Sequence, residues 1–422
     1  MCRVQTSIRP APFAIVALVL AAALAAPAAA GPYLVVDVDS GRVIAQHDAG
    51  RQWYPASITK LMTVYLTFRA MRAGKVAPDT LLTVSERATA EPPSKMGFRP
   101  GTQITVDNAL KMLVVKSAND IAVVLAEGVG GSVPDFVAEM NKVAVEIGMY
   151  GTQFRNPNGL PDDEQVTTAR DMALLTRQLL REFPEYDGLF RIPAIRFGKR
   201  IMRNHNKLID RYPGTDGMKT GFICAAGFNV VATATRGNKR LIAVVLGARS
   251  SQQRALETAR LLERGFAGTL SFATLFPSNR QKLELVENVA VGPLDMRDDM
   301  CGPKRRRRAA ETEEEDEIEA TDPDPNEALR FNVDQLKKVN LLVDLPPSMP
   351  PVQVFVGAKP SVEADERASP TKKKARRTRT TRKKPAKPPT TAQKPKPKPD
   401  KPKSATKPKA TPRTAQAPAP KS

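Results

Sequence analysis

Ser57 and Lys60 stand three residues apart in the stretch Ser57-Ile-Thr-Lys60, and that spacing places both side chains on one face of a helix. Apolar residues follow on almost every side as far as Met71, which predicts a helix over 57–71 that is buried inside a domain. Burial would depress the pKa of the lysine until its neutral amine can accept the serine proton. The spacing is not specific when taken alone, because it also fits a helix cap followed by a solvated lysine.

Two further clusters make this pair more informative. Ser117-Ala-Asn119 falls between two predicted helices, 106–115 and 120–127, where a hydroxyl and an amide could both face a cleft. Lys219-Thr220-Gly221 begins a strand-like stretch, in which the glycine would let a substrate backbone approach closely. Ser-x-x-Lys, Ser-x-Asn and Lys-Thr-Gly sequences in this order are typical of penicillin-recognising serine enzymes.

The region from about Pro32 to Phe266 resembles the serine-type D-alanyl-D-alanine carboxypeptidases, which are low-molecular-mass penicillin-binding proteins. The resemblance extends beyond the three short motifs to the residues around them. The matching segments are Tyr54-Pro-Ala-Ser57-Ile-Thr-Lys60-Leu-Met-Thr63, Ser117-Ala-Asn119-Asp120, Asn156-Pro-Asn-Gly-Leu160, Gly214-Thr-Asp-Gly-Met-Lys219-Thr-Gly221 and Gly227-Phe-Asn-Val-Val231. The resemblance implies the α+β fold of the penicillin-recognising (β-lactamase/transpeptidase-like) serine enzymes, with an antiparallel sheet and a helical cluster.

The resemblance also implies roles for the catalytic residues. Ser57 would be the acylated nucleophile and Lys60 its general base. Ser117 and Asn119 would relay protons and hold the substrate amide. The backbone N–H groups of Ser57 and Phe222 would form the oxyanion hole, which stabilises the negative charge that develops on the attacked carbonyl oxygen.

The substrate-binding residues follow from the same resemblance. Lys219, Thr220 and Gly221 would recognise the substrate, and Arg249 matches the position that helps to bind its terminal carboxylate. An exposed cation that merely follows a strand is the alternative interpretation of Arg249.

The function implied is removal of the terminal D-alanine from peptidoglycan stem pentapeptides through an acyl-enzyme, with β-lactam antibiotics as inhibitors. A DD-endopeptidase of the same family, which cuts cross-links, fits the motifs equally well. A class A β-lactamase fits less well, because Asn156-Pro-Asn-Gly-Leu160 lacks the glutamate that would position a deacylating water. A non-catalytic wall-binding protein is the alternative from another class.

The two histidines give no support for other chemistry. Neither His47 nor His205 has a histidine four residues away, so a zinc site is not indicated. No serine lies in a Gly-x-Ser-x-Gly sequence, so a nucleophile elbow is not indicated either. We interpret both histidines as surface or hydrogen-bonded residues, and we expect neither a metal nor a cofactor.

The elements around these motifs are predicted from periodicity and turn residues. Short strands are expected at 33–38 and 42–45, and a hairpin at 227–236 and 240–247 is expected around Gly237-Asn238. Further helices are expected at 134–147, 168–181 and 252–264. Strands at both ends and helices between them predict an α+β, three-layer protein whose sheet is completed by distant segments.

The ends of the chain predict export. Two arginines, a 14-residue apolar run and Pro27-Ala-Ala-Ala30 form a secretory signal peptide over 1–30. The run is shorter than the roughly 20 residues of a membrane span, so an uncleaved anchor is the weaker interpretation. We therefore expect a catalytic domain over 31–275 that is periplasmic, or at most peripheral to the membrane.

The charge lies mostly in one tail. Residues 358–422 contain 21 basic and 4 acidic residues, so they carry +17 of the chain's net charge of +21. They also contain 13 of its 37 prolines. Such a composition cannot bury a core, so a disordered tail is expected. It could contact anionic envelope polymers or serve as a solvated spacer, whereas nucleic acid is an unsuitable partner for an exported protein. Residues 276–357 are predicted to be a linker with a small docked element.

Removal of residues 1–30 would leave two cysteines, Cys224 and Cys301. An even number in an oxidising compartment favours a bridge, which would tie the later segment beside the Lys-Thr-Gly sequence. Two free buried thiols are the alternative that the sequence leaves open.

Overall fold

Strands from both ends of the catalytic region meet in one sheet. The computed structural model describes residues 31–267, 281–302 and 341–358, and the backbone of Glu317–Glu319. The predicted signal peptide and nearly all of the basic tail lie outside these residues. The described strands are β1 Tyr33–Asp37, β2 Val43–His47, β3 Leu81–Thr83, β4 Gln103–Thr105, β5 Ala194–Phe197, β6 Arg200–Arg203, β7 Thr215–Ile223, β8 Gly227–Arg236, β9 Lys239–Ala248, β10 Glu317–Glu319 and β11 Val352–Val354.

The described helices are α1 Lys60–Arg72, α2 Glu86–Ala90, α3 Val106–Val115, α4 Asn119–Gly130, α5 Val133–Glu146, α6 Ala169–Glu182, α7 Ser251–Ala267 and α8 Arg297–Cys301. Short 3-10 turns cover Ala56–Thr59, Pro184–Arg191 and Leu283–Leu285. The long helices and the hairpin agree with the predicted ranges to within about one turn.

Among the described residues, the larger sheet is antiparallel with the order β2-β1-β9-β8-β7. β1 pairs with β9, with Tyr33 opposite Val245, so the first described strand lies beside a strand from a much later part of the chain. This pairing confirms the prediction of a sheet built from distant segments. β7, which carries the Lys-Thr-Gly sequence, is the strand at one edge.

The sheet separates two cores, because successive residues of a strand point to opposite faces. Val35 packs in one core with the α7 residues Ala259 and Leu262. Leu34 and Val36 belong to the other core, which contains the helices from α1 to α6. The described protein is therefore an α+β structure of three layers, as predicted.

α1 runs through the middle of the helical layer. Ten of its 13 residues are buried, including Lys60 at its start, so its burial agrees with the nearly all-apolar sequence. Two of the neighbouring helices begin at side-chain caps: Ser132 Oγ accepts from Asp135 N, and Thr168 Oγ1 accepts from Asp171 N. No single described helix is long and apolar enough to cross a membrane; α4 and α5 reach that length and hydropathy only as a pair, bent by 83°.

Two described segments of the predicted linker pack on this core. Leu283 and Met300 are buried in the helical core, and Cys301 is bonded to Cys224. Farther along, β11 pairs in parallel with β5, and Val354 is fully buried. Sequence analysis did not predict the small sheet that results, which has the order β10-β6-β5-β11 in the described residues.

Candidate active site

Ser57 lies in the 3-10 turn directly before α1. A side chain of the sheet holds the residues that lead into this turn. Asn229 Nδ2, on β8, donates to the carbonyl oxygens of Tyr54 and Pro55 at 2.8 and 3.1 Å. Asn229 is fully buried, and its Oδ1 accepts from Gly247 N at 3.0 Å. One amide side chain therefore connects the residues just before Ser57 to β8 and β9.

Lys60 is the first residue of α1, and only 1% of it is exposed. Its Nζ donates to Ser57 Oγ at 2.8 Å, to Asn119 Oδ1 at 2.8 Å and to the carbonyl oxygen of Asn158 at 2.6 Å. Three neutral oxygen atoms thus hold the amine, and the serine hydroxyl lies within direct proton-transfer distance. The structure brings the predicted pair together as the spacing indicated, while their chemical roles stay predictions.

Ser117 and Asn119 lie at the junction of α3 and α4. Ser117 has a φ of +60°, a left-handed conformation that costs a non-glycine residue about 1–3 kcal/mol. Its Oγ is buried and makes no hydrogen bond to any described residue. Asn119, by contrast, is held in place, because its Nδ2 donates to Pro92 O at 3.0 Å and its N to Ser94 O at 2.8 Å. The hydroxyl of Ser117 is therefore unpaired among the described residues.

β7 presents Lys219, Thr220 and Gly221 along the edge of the sheet. Lys219 is 2% exposed and its Nζ donates to Thr220 O at 2.9 Å, while Thr220 Oγ1 is buried without a hydrogen bond to a described residue. A Cβ atom on Gly221 would lie only 2.7 Å from Ser57 N and 3.0 Å from Ile58 N. Glycine is therefore required here by the close approach of the Ser57 and Ile58 backbone, a reason that sequence analysis did not give.

Phe222 and Arg249 complete the predicted set. Phe222 continues β7, and its ring packs on Phe228 with the centroids 4.3 Å apart. Arg249 directly follows β9 and is the exposed member of the set, with 69% of its side chain accessible and Asp299 Oδ2 3.9 Å from its NH2. The structure thus places Arg249 at a rim, outside the buried group around Lys60.

A disulfide holds α8 beside this rim. Cys301 is bonded to Cys224, the residue after β7, with their Cα atoms 5.7 Å apart. Met296 N donates to Ala225 O at 3.0 Å, and Arg297 NH2 donates to Asp163 Oδ1 at 2.7 Å. The alternative of two free thiols, which the sequence left open, is not what the structure shows.

Sequence reasoning missed two residues behind Lys60. Asn158 accepts from Lys60 through its carbonyl oxygen, and its Nδ2 donates to Glu91 Oε2 at 2.9 Å. Burial raises the pKa of Glu91, although the hydrogen bond from Asn158 and the charges of Arg87 and Lys60 partly oppose that rise. Asn158 lies within a segment already noted for its resemblance, but a carbonyl has no sequence signal, and Glu91 lies in no motif.

Both histidines have structural surroundings. His47 is exposed and stacks on Tyr33 at 5.8 Å, and His205 is buried with Nε2 3.1 Å from Lys116 O. These positions match the predicted surface and hydrogen-bonded roles. Within the described ranges, His, Cys, Asp and Glu side chains form no group of three that could hold a metal ion.

Curated relatives match the catalytic region. The chain is 38% identical over 248 residues to D-alanyl-D-alanine carboxypeptidase DacA of Haemophilus influenzae, a match covering 58% of this chain and 63% of the relative. It is 38% identical over 241 residues to D-alanyl-D-alanine carboxypeptidase DacC of Escherichia coli, covering 56% and 60%. The chain thus spans about three fifths of the length of these relatives.

Solved structures confirm the predicted fold class. Penicillin binding protein 5 from Haemophilus influenzae superposes with a TM-score of 0.54 at 37% identity, over 56% of this chain and 71% of that one. Penicillin-Binding Protein D2 from Listeria monocytogenes, solved in its ampicillin-bound form, gives 0.52 at 31% identity over 56% and 97%. A family profile described as D-alanyl-D-alanine carboxypeptidase matches residues 20–250, more than half of the chain, and the chain therefore belongs to this S11 peptidase family.

Proposed function

We propose that the protein is a serine D-alanyl-D-alanine carboxypeptidase that removes the terminal D-alanine from peptidoglycan stem pentapeptides. The observation that carries the proposal is the buried amine of Lys60, 2.8 Å from Ser57 Oγ. Family membership supports the same chemistry. The nucleophile and its base are already within hydrogen-bond distance, so the site needs no histidine.

In acylation, Ser57 Oγ attacks the carbonyl carbon of the penultimate D-alanine while the neutral Lys60 amine takes its proton. The new C–O bond pushes negative charge onto the carbonyl oxygen, which the N–H groups of Ser57 and Phe222 would stabilise. The C–N bond to the last D-alanine then breaks, and the leaving amine takes up a proton that Ser117 Oγ relays from Lys60. The product is a serine ester together with free D-alanine.

In deacylation, a water molecule attacks the ester carbonyl and gives up a proton to Lys60. The C–O bond to Ser57 breaks, Ser57 Oγ regains a proton, and the shortened peptide leaves with a new carboxylate. A β-lactam would form the same ester but keep its leaving group tethered, which explains inhibition. The Listeria neighbour in its ampicillin-bound form supports this part of the proposal.

Substrate recognition falls to polar groups that the described protein leaves unsatisfied. The buried hydroxyls of Ser117 and Thr220 make no hydrogen bond to described residues, and such groups cost about 1–3 kcal/mol unless a ligand pairs with them. We assign both to the substrate. The exposed guanidinium of Arg249 would meet the terminal carboxylate, and Asn119 would hold the substrate amide.

The test combines labelling with product analysis. Fluorescent penicillin should acylate the wild-type protein, Ser57→Ala should lose all labelling, and Lys60→Ala should label about 10²–10⁴-fold more slowly. Purified muropeptides should lose one alanine from pentapeptide monomers, as measured by mass spectrometry. Robust labelling of Ser57→Ala would refute the assignment of the nucleophile, and splitting of cross-linked dimers would favour the endopeptidase alternative.

The proposed site of action is the periplasm. The predicted signal peptide would take the protein to the periplasm, where peptidoglycan stem peptides are its substrates. Residues 358–422 would then touch anionic envelope polymers by charge alone, because that tail has no apolar face.

A further inference from the structure

One loop, which follows α2, supports two of the residues that hold the Lys60 amine, Asn119 and Asn158. Asn119 Nδ2 donates to the carbonyl oxygen of Pro92 at 3.0 Å, so the loop fixes the side chain that accepts from Lys60. Asn158 Nδ2 donates to Glu91 Oε2 at 2.9 Å, so the loop also fixes the residue whose carbonyl accepts from Lys60. The position of the amine therefore depends on this loop.

Glu91 is the residue of this loop that brings a negative charge to the site. Its half-buried carboxylate accepts from Asn158, which is 1% exposed and lies directly against Lys60 Nζ. The carboxylate and the amine are thus joined across a single residue. A nearby anion favours the ammonium form of a lysine over its neutral form, so Glu91 opposes the loss of the Lys60 proton.

We propose that Glu91 is a positioning residue for the reaction: through Asn158 it holds the Lys60 amine against Ser57, and its charge sets the pH above which Lys60 acts as a base. The inference rests on the proposed function, because it requires Lys60 to react as a neutral amine. Glu91 itself neither gives nor takes a proton in the acylation step.

Other charges on the surrounding elements stay in place when Glu91 alone is changed. They are Lys219 on β7, Asp120 on α4, Arg87 on α2, Lys116 after α3, and Lys95 in the loop. A change in pH dependence on substitution of Glu91 therefore reports the charge of Glu91.

The decisive variant is Glu91→Gln, whose side-chain oxygen can still accept from Asn158 but carries no charge. The measurement is the second-order rate constant for acylation by fluorescent penicillin between about pH 4 and pH 10. We expect the acid limb of the profile to move about 0.5–1 pH unit to lower pH, which is about three- to tenfold faster acylation within that limb. The two rates should agree at high pH, where Lys60 is neutral in both proteins.

The burial of Glu91 determines how the acylation rates of the wild type and Glu91→Gln compare at low pH. Burial raises the pKa of its carboxyl group, so the wild-type side chain loses its charge at a higher pH than an ordinary glutamate. Below that pH the wild type and Glu91→Gln carry the same charge, and their rates should converge. The ratio of the two rates should therefore be largest at intermediate pH.

Two further variants distinguish the effect of the charge of Glu91 from the effect of its hydrogen bond to Asn158. Glu91→Ala removes both the charge and the acceptor, so we expect the same shift together with a lower rate plateau at high pH. Glu86→Gln, an exposed glutamate in α2, is the matched control and should keep the wild-type profile. Thermal melts verify that each variant is folded.

A Glu91→Gln profile that superimposes on the wild type would overturn the proposed role of the charge. A uniformly lower rate for Glu91→Ala without any shift would leave the loop a purely structural support and would also overturn the proposal. If the wild-type protein is not acylated at all, the proposed function fails first, and this inference fails with it. The two failures are thus distinguishable.

Discussion

At the scale of single residues, Gly221 lies directly against the backbone of the turn that carries Ser57. We predict that Gly221→Ala lowers the rate of penicillin acylation about 100-fold, because its Cβ would lie 2.7 Å from Ser57 N and must displace that backbone. A misplacement of about 1 Å is enough for an effect of this size. The rate of labelling by fluorescent penicillin measures it directly.

Gly188→Ala is the matched control for that substitution. Nothing lies within 4 Å of the position that a Cβ on Gly188 would take, and the residue has no positive φ. We expect it to label at the wild-type rate. If Gly221→Ala labels as fast as Gly188→Ala while both proteins melt like the wild type, the contact between β7 and the nucleophile does not limit the reaction.

Single residues were predictable from sequence where a side-chain type and a spacing carry the chemistry. Ser57 and Lys60 could be paired in advance because three residues along a helix fix their relation. Asn158 acts through its backbone carbonyl, which every residue possesses, so no pattern could single it out. Asn229 and Glu91 make contacts that form only after distant segments have packed, and the sequence around these residues gives no local sign of those contacts.

At the scale of elements, the disulfide makes α8 part of the site's surroundings. The bond closes a stretch with a sequence separation of 77, for which loop entropy predicts a stabilisation of about 4.5 kcal/mol. We predict that Cys224→Ser/Cys301→Ser lowers the free energy of unfolding by about 2–4 kcal/mol. Urea unfolding of a chain that begins at Gly31 provides the measurement.

Reductant supplies the control for the disulfide. It should lower the unfolding midpoint of the wild-type protein towards that of the double variant, and it should leave the double variant unchanged. Two titratable thiols in the unfolded, unreduced wild-type chain would contradict the bond.

Long elements were predictable because their signals are local. The caps at Ser132 and Thr168 and the apolar periodicity between them and the helix ends lie in consecutive residues. β3, β4 and β11 are three residues long, too short to show a period, and each is a strand only because of its partner. The docking of 281–302 and 341–358 likewise depends on surfaces that the rest of the fold creates.

At the scale of the whole molecule, charge and catalysis occupy different parts of the chain. The first 357 residues carry a net charge of only +4, whereas residues 358–422 carry +17. The described fold runs to the start of this tail, where Gly357 N donates to Gln103 O at 2.6 Å. Removal of residues 358–422 therefore leaves β11 and its contacts in place, and it separates the tail's function from that of the site.

We predict that this truncation leaves turnover of a small D-Ala-D-Ala peptide unchanged but releases the protein from envelope fractions at low salt. Each basic residue near an anionic surface contributes about 1 kcal/mol at most, and the attraction decays within the Debye length. That length falls from about 20 Å at 0.02 M salt to about 4 Å at 0.5 M, so the full-length protein should also dissociate across this range. Fractionation followed by quantitative blotting measures both effects.

A full-length variant with the 21 basic tail residues replaced by glutamine is the control for the tail's length and proline content. Because electrostatic attraction depends on charge rather than on chain length, we expect this variant to fractionate like the truncated protein at every salt concentration. If the truncated, neutralised and wild-type proteins all distribute identically between about 0.02 M and 0.5 M salt, the tail is a solvated spacer. Retention of the wild-type and neutralised proteins but not of the truncated one would instead point to binding through the prolines, since they are the feature that the neutralised variant keeps and the truncation removes.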